Sequence, residues 1–590
     1  MEGGRPLDTA CGSGSEQALS AFWRLSISAV LACGCLRLPG QIPASRSVAD
    51  NQLQRLADRQ QWTRIVTLLE PVSRRTAAMD YYLGIAEAHL GQTNEAQTTL
   101  EAGRRLAPGD TRFPTELAGI AFTKKNYPDT IRRLRQAVHL SPEDKYINNF
   151  LGTAYFLEGN LEASLKYWNR IGKPAIAEVR EEPKPRIDAA LLDHAFAFSS
   201  AVTLTLPEFL DTEERVRGLG VFPQFHFDLN ARDDGRFDVV FRARELDGFG
   251  SSKLEALVLF FEGLPFQEVN PQFYNLHREA INFISMVRWD AQKRRIFADF
   301  SGPFQHGAKY RWDLDADLRN ENWAIRNGFT GPAPVLAAFN MRTEVADFRL
   351  ASFAGDRFTW AVGAAVSNRN FRSVAPGTVL TPQMLAAGYE FSQKAQIGGT
   401  LRRVPERRFV VTGGAASDAA RLWSQPSQPF EKLTGLLAWH WFPQLSGEDY
   451  ETSQELRAGK TFGQPPFDGL FILGLERDNN LPLRAHIGTR DGRKGSAPIG
   501  RNYLLENWDL DKNLYGNGLI QLQLGPFFDI GTVSDPGTQL GSHMWLFDTG
   551  AQLKVRVLGV GLVFSYGKDL RTGNNAFYVT SLQQPGCGDR

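Results

Sequence analysis

The chain has 590 residues and carries 66 Lys plus Arg against 65 Asp plus Glu, so its formal net charge is only +1. This balance gives no electrostatic reason to expect nucleic acid as a partner, and the length indicates two to four domains. The four cysteines, Cys11, Cys33, Cys35 and Cys587, form no pair that spans the body of the chain, so we expect no disulfide framework.

Motifs for catalysis or metal binding are missing from the sequence. The nine histidines are scattered, and the chain contains neither an HExxH motif nor a Cys/His cluster. It also lacks the GxSxG and GxxxxGK[ST] motifs of hydrolases and P-loop proteins. We therefore predict no metal site, no cofactor and no enzymatic activity.

Residues 1–45 are predicted to be a signal or targeting segment. The stretch WRLSISAVLACGCL, residues 23–36, has an arginine followed by a short apolar run, and Val30-Leu31-Ala32 fits a small-residue cleavage site. The run is too short to span a membrane as a helix. A buried helix and lipidation at Cys33 are the alternatives.

Residues 46–180 contain an internal repeat with a period of 34 residues. Leu83-Gly84, Leu117-Ala118 and Leu151-Gly152 follow one another at that spacing. The pattern resembles the tetratricopeptide repeat, in which small residues let two helices approach closely and a proline follows the second helix. The residues predicted to set this packing are Gly84, Ala96, Pro108, Ala118, Pro142 and Gly152. A generic helical bundle is the alternative.

Residues 187–246 are predicted to form a small α+β module. The sequence predicts a short strand near 195–205, an amphipathic helix from Leu206 to Gly220, and a hairpin around Asp234-Gly235. This order resembles a POTRA domain, which binds client chains by adding a strand to a sheet edge. The preceding stretch, residues 172–186, is interpreted as a linker or a final capping helix.

Residues 250–584 show the alternation of antiparallel strands. In YRWDLDADLRN, residues 310–320, the apolar side chains fall on one face and the charged ones on the other. Nine of the twelve tryptophans lie after residue 280. Aromatic residues flank the alternating segments, and the sequence has no apolar run long enough for a membrane-spanning helix. Both features favour a transmembrane β-barrel. A soluble sandwich or propeller is the alternative.

A basic, glycine-rich loop at residues 481–503 interrupts these strands. Downstream, the parity of LIQLQLGPFFDIG places Asp529 on the polar face together with Gln521 and Gln523. A carboxylate on the inner wall of a barrel favours a cationic partner, and the loop supplies several arginines. The alternatives are that the loop arginine is a solvated charge and that Asp529 lies in a turn.

Two motifs in this region resemble those of the BamA/TamA superfamily of outer-membrane insertase barrels, also called the bacterial surface antigen family. Phe527-Phe528-Asp529-Ile530-Gly531 matches the F-x-D-x-G strand motif of that family. Leu483-Arg484-Ala485-His486 matches the loop motif L/V-R-G-aromatic only in part, because alanine and histidine replace the last two residues. The resemblance implies that Arg484 folds into the lumen and meets a site formed by Phe527, Asp529 and Gly531.

The same resemblance implies a multidomain outer-membrane protein with periplasmic N-terminal domains and an antiparallel barrel of sixteen strands. Its implied function is to help insert or translocate polypeptides, without making or breaking a bond. Implied partners are outer-membrane lipid, unfolded outer-membrane or secreted polypeptides, and periplasmic accessory subunits. A dedicated secretion pore for one client, lipid export, and a soluble repeat scaffold with a β domain are the alternatives.

Overall fold

The computed structural model describes residues 48–250, 260, 263–326, 328, 333–424, 427–444, 447, 449–516, 520–536, 538–542, 544–557 and 560–581. The predicted signal or targeting segment and the four cysteines lie outside these residues. The chain divides into two compact units. The first includes the described residues up to Arg180 with Ser199–Leu206 and Phe227–Val240. The second includes Glu181–Phe198, Pro207–His226 and the described residues from Phe241 onward.

The first unit consists mainly of helical hairpins. Its helices are Val48–Asp58, Trp62–Leu69, Ala77–His89, Thr93–Leu106, Arg112–Thr123, Tyr127–Leu140, Lys145–Leu157 and Leu161–Trp168, followed by the 3₁₀ turn Asn169–Ile171. The second helices of three successive hairpins begin at Thr93, Tyr127 and Leu161, which reproduces the 34-residue period of the sequence.

Small residues set the distance between the two helices of a hairpin. A Cβ on Gly84 would lie 2.5 Å from Cγ of Leu100, and one on Gly152 would lie 2.4 Å from Cδ1 of Trp168. Ala96 and Ala118 are fully buried. Pro108 and Pro142 each lie two residues after a helix that ends at Leu106 or Leu140. The repeat positions identified in the sequence therefore lie at the helix–helix contacts and helix ends.

The α+β region differs from its prediction. Its strands are β1 (Ile176–Glu181), β2 (Gln224–Ala231) and β3 (Phe237–Arg244), in the order β1-β3-β2, with helices Ala189–Ala195 and Leu206–Leu219 between β1 and β2. The sheet and its helices are divided between the two units. The first strand thus lies within 172–186, where a linker or capping helix was predicted, and the described residues 195–205 form only an isolated β-bridge, between Thr203 and Ala175.

The error has a physical explanation. Pro174 and Pro183 bracket Ile176–Glu181, and proline favours extended backbone in the residue before it, so the short segment between them forms a strand and not a capping helix. Phe196 and Phe198, which suggested a strand by their alternation, are buried after the end of helix Ala189–Ala195. The ring centroid of Phe196 lies 5.6 Å from that of Phe241. The alternation thus reflects aromatic packing rather than strand pairing.

A large antiparallel sheet forms most of the second unit. Its first strands are β4 (Glu268–Val269), β5 (Gln272–Leu276), β6 (Ile281–Arg288), β7 (Lys293–Phe304), β8 (Gly307–Arg326), β9 (Val335–Ser352) and β10 (Thr359–Arg372). The sheet continues through β11 (Gly388–Val404), β12 (Phe409–Trp423), β13 (Gln428–Trp441) and β14 (Tyr450–Gly463). After a long connection, its last strands are β19 (Asn502–Gly516), β20 (Ile520–Ser534), β21 (Leu546–Val557), β22 (Val560–Asp569) and β23 (Asn575–Ser581).

The connection between β14 and β19, residues 464–501, is called the connecting loop below. It contains the short strands β15 (Phe471–Ile472), β16 (Thr489–Arg490), β17 (Arg493–Lys494) and β18 (Ile499–Gly500). Three 3₁₀ turns complete the unit, at Leu264–Phe266, Pro405–Arg407 and Phe467–Gly469. Among the helices that the structure describes, none has the length and hydropathy required to cross a bilayer.

The two faces of the sheet differ in a consistent way. On β8, Leu314 is 49% exposed, whereas its neighbour Asp313 is 1% exposed. On β7, Ile296 and Phe300 are exposed, whereas Asp299 is fully buried. We call the first the apolar face and the second the polar face. The alternation predicted for residues 310–320 is present, and here it is the charged side that is buried.

Candidate functional site

The connecting loop contacts the polar face of the last strands through Arg484. The Arg484 guanidinium donates from Nε to both carboxylate oxygens of Asp529, at 2.9 and 3.1 Å. The backbone N–H of Arg484 donates to the same carboxylate at 3.0 Å. Nη1 donates to Asp509 at 2.5 Å and to Gln552 at 3.0 Å. The structure therefore brings together the two residues that the sequence pattern paired.

Phe527 and Gly531 lie beside this ion pair, on the same side of β20 as Asp529. The Arg484 guanidinium carbon is 4.0 Å from the centre of the Phe527 ring, within the range of a cation–π contact. A Cβ on Gly531 would lie 3.3 Å from Cδ1 of the fully buried Leu483. The four predicted site residues thus hold the loop in different ways. Arg484 and Asp529 contribute opposite charges, Phe527 contributes a ring face, and Gly531 leaves space for Leu483.

The carboxylate of Asp529 belongs to a row that crosses four strands. Asn507 pairs in register with Asp529, Asp529 with Asp548, and Asp548 with Asp569. All three aspartates are buried. Like charges directly opposite one another on neighbouring strands are destabilising. We call these three aspartates the acidic row, and the sheet requires cations from elsewhere to offset it.

The residues that follow Arg484 supply further donors to the acidic row. The backbone N–H of Ala485 donates to Asp548 at 2.6 Å. Nδ1 of His486 lies 3.0 Å from the same carboxylate, and Nε2 lies 3.8 Å from Asp569. Ala485 is outside the left-handed region of backbone conformation, so this position does not require the glycine of the family motif. Histidine in place of the aromatic residue adds a group that contacts two carboxylates.

Sequence reasoning missed Asp548 and Asp569. One signal for Asp548 was present: Phe528-Asp529-Ile530-Gly531 is followed by a second Phe-Asp-x-Gly at Phe547–Gly550. The register of β20 with β21 places the two aspartates opposite each other. Gly567 is a further contact, because a Cβ there would lie 2.6 Å from the Arg484 carbonyl oxygen. That close approach depends on tertiary packing and has no local signature.

His486, Asp548 and Asp569 are also residue types that bind metals, and their ligand atoms lie within 4.8 Å of one another. The imidazole, however, lies between the two carboxylates and directs one ring nitrogen to each. A metal site requires ligand atoms that converge on one point. The arrangement is better explained as an imidazole held between two carboxylates, and the expectation of no metal stays a prediction.

No protein-family model and no curated protein sequence matches this chain. Among solved structures, it is similar to BamA from Haemophilus ducreyi lacking POTRA domains 1–3, at 11% identity and TM-score 0.39, covering 69% of this chain and 84% of that one. It is similar to CdiB from Escherichia coli at 13% identity and TM-score 0.44, covering 70% and 75%. It also overlaps MamA from Desulfovibrio magneticus RS-1 at 24% identity and TM-score 0.19, covering 20% and 70%.

Proposed function

We propose that residues 250–584 form a closed transmembrane barrel of sixteen strands in a bacterial outer membrane. The observation that carries this proposal is the inverted burial of β8, where leucine is exposed and aspartate is buried. In water that arrangement would bury charges and leave the apolar side chains outside, whereas in lipid it is the favoured one. The order of strands, in which β23 leads back to β4, supports closure of the sheet. A closed barrel leaves no unpaired strand edge in lipid.

We further propose that the barrel assists the insertion or translocation of polypeptides and catalyses no covalent reaction. The support is the loop–sheet site, in which Arg484 lies on a Phe-x-Asp-x-Gly strand as the superfamily resemblance implies. In this proposal, the helical hairpins are tetratricopeptide repeats and the α+β region is POTRA-like. Both lie in the periplasm and bind the client or an accessory subunit. Outer-membrane lipid surrounds the apolar face.

One observation favours insertion over a permanently open secretion pore. Trp323 of β8 and Phe339 of β9 are buried with residues from three connections: Met384, Phe467 and Leu540. The Phe467 ring centroid lies 4.9 Å from that of Trp323 and 5.0 Å from that of Phe339. An apolar cluster of this kind closes space between strand connections. A client that passed through it would first have to displace the connecting loop.

Two measurements test the proposal. Outer-membrane fractions should contain the full-length protein, and its compact form should migrate faster on a gel before boiling than after it. When the purified protein is reconstituted in vesicles of outer-membrane lipid, an unfolded barrel protein should fold faster than in empty vesicles. A soluble protein with identical boiled and unboiled migration would exclude the barrel. A heat-modifiable protein that accelerates no client would exclude the insertion function but keep the fold.

A further inference from the structure

The connecting loop makes a second set of ion pairs, with the first long strands of the sheet. Asp478 accepts hydrogen bonds from Arg288 of β6, at 2.8 and 3.2 Å, and from Arg295 of β7, at 2.5 Å. Lys494 lies 2.7 Å from Glu321 of β8. The side chains of Asp478, Arg288 and Lys494 are all less than a tenth exposed. These contacts are as buried as the contact of Arg484 with Asp529.

The strands at this end carry a row of positive charge. Arg288 pairs in register with Arg295, and Arg295 pairs with Arg319. We call these three arginines the basic row. Glu268 contacts Arg288, and Asp317 contacts both other arginines. The sheet thus supplies two carboxylates for three guanidinium groups. Asp478 of the loop supplies the third negative charge.

The loop therefore carries complementary charge at each contact. Its acidic residue Asp478 lies on the basic row of β6–β8, and its basic residue Arg484, with His486 two residues further on, lies on the acidic row of β20–β22. Only five residues separate Asp478 from Arg484, so a short stretch of chain joins the two contacts. Each row is a set of like charges on paired strands and is unfavourable without the loop.

We propose that the connecting loop is a charge-matched strap that holds the first and last strands of the sheet together, with Asp478 as the positioning residue at the first strands. This inference depends on the proposed barrel in one respect, because the first and last strands are neighbours only if the sheet closes. A strap requires both attachments, because a loop released at one end transmits no restraint to the other. Asp478 should therefore matter to the folded barrel as much as Arg484 does, although the two residues share no partner among the described contacts.

The test uses the full-length protein with Asp478→Asn, Arg484→Gln, both together, and Asp491→Asn as the control. Asp491 lies in the same loop but is 76% exposed, and asparagine tolerates its left-handed backbone. The first readout is trypsin cleavage after Arg493 in outer-membrane vesicles. Asp478→Asn should raise the cleavage rate about tenfold, because losing a charged hydrogen-bonding partner shifts the opening equilibrium by that much or more. The control should cleave at the wild-type rate.

The second readout is the temperature at which the compact gel band is lost. Each single substitution should lower it, and the double substitution should lower it no further than the stronger single one. Independent local contacts would instead add, because distant sites without shared partners are additive. Additive shifts, or an Asp478→Asn protein that behaves like the control in either readout, would overturn the strap. If Asp478→Asn does not assemble, Glu476→Gln tests the same attachment of the loop to the first strands, because the Glu476 carboxylate lies 3.1 Å from Nζ of Lys293 on β7. A wild-type protein without a compact band would overturn the barrel instead.

Discussion

The helical hairpins and the large sheet follow opposite rules of burial within one chain. In the hairpins, Leu100 and Leu134 are fully buried, and charged side chains such as Arg132 are exposed. In the sheet, Asp529 is fully buried and Leu314 is half exposed. The hairpins therefore follow the burial pattern of a protein in water, and the sheet follows the pattern that the proposed membrane barrel requires.

This difference shows that exposure alone does not report stability. An exposed leucine is neutral when water surrounds it and favourable when lipid does, whereas a buried charge is tolerated only when it is paired. The same substitution should therefore have different effects in the two regions. Two pairs of substitutions compare the regions directly, and two further tests concern the packing and charge of the hairpins alone, from the largest expected effect to the smallest.

The largest difference should come from removing an arginine. Arg484→Ala leaves Asp529 buried without its main partner, which costs ~3–5 kcal/mol for a buried pair. The Arg484 side chain is 8% exposed. Arg132 of the hairpins, 64% exposed and paired with Asp129, is the matched control. Arg132→Ala should cost ~0–1 kcal/mol.

Urea unfolding of the reconstituted protein measures the first change, and far-ultraviolet unfolding of a fragment that spans residues 48–174 measures the second. Adding Asp529→Ala to Arg484→Ala should cost little more, because the pair acts as a unit. Equal losses for Arg484→Ala and Arg132→Ala would contradict the contrast between the regions.

A charged residue on the apolar face provides the second test. Leu314 of the sheet and Leu68 of the hairpins are 49% and 44% exposed. Leu314→Arg should destabilise by ~2–4 kcal/mol if lipid covers that face, whereas Leu68→Arg should change stability by less than ~0.5 kcal/mol, as is usual for a surface position in water. Folding yield into lipid vesicles and fragment unfolding measure the two. A neutral Leu314→Arg would argue that water covers the apolar face.

The third test concerns glycines of the hairpins. Gly84→Ala and Gly152→Ala place a methyl group against Leu100 and Trp168, and overpacking of this kind costs ~1–3 kcal/mol. Gly119 lies within helix Arg112–Thr123, and nothing lies within 4 Å of its Cβ position. Gly119→Ala should therefore stabilise by ~0.5–1 kcal/mol, because alanine loses less backbone entropy. Thermal unfolding of the 48–174 fragment compares them, and a fragment that is disordered without substitutions would contradict the repeat interpretation.

The smallest effect is a pH dependence of the hairpins. Burial raises the pKa of Glu116 to about 7, and it outweighs the lowering by the Tyr81 hydroxyl and by Arg112. The folded state then holds a proton that the unfolded state releases near the ordinary glutamate pKa. The contribution of Glu116 to stability should therefore be constant below about pH 4.5 and should fall as the pH rises toward about 7.

The loss should be below ~1.4 kcal/mol, the equivalent of one pKa unit, because the carboxyl is partly exposed. Unfolding of the 48–174 fragment at several pH values measures the slope. Glu116→Gln should remove most of it. A slope that persists unchanged in Glu116→Gln would assign the pH dependence to other groups.

The sequence by itself determined the features that depend on local periodicity. The 34-residue spacing located the helices because each hairpin packs mainly against residues near it in the chain. The alternation in residues 310–320 located a strand and its two faces, because side chains of a strand point to opposite sides with period two. The pairing of Arg484 with Asp529 followed from the parity of the stretch LIQLQLGPFFDIG together with a family motif.

Only the tertiary structure decided what depends on register between distant strands. Asp529, Asp548 and Asp569 form one row because three strands pair at particular residues, and Arg288, Arg295 and Arg319 form another in the same way. A shift of one residue in any of these pairings would separate the like charges of a row. No local feature of the sequence fixes the register between the strands. The roles of Asp478 and His486 follow from those rows, because a loop charge acquires its partner only when the strands beneath it have aligned.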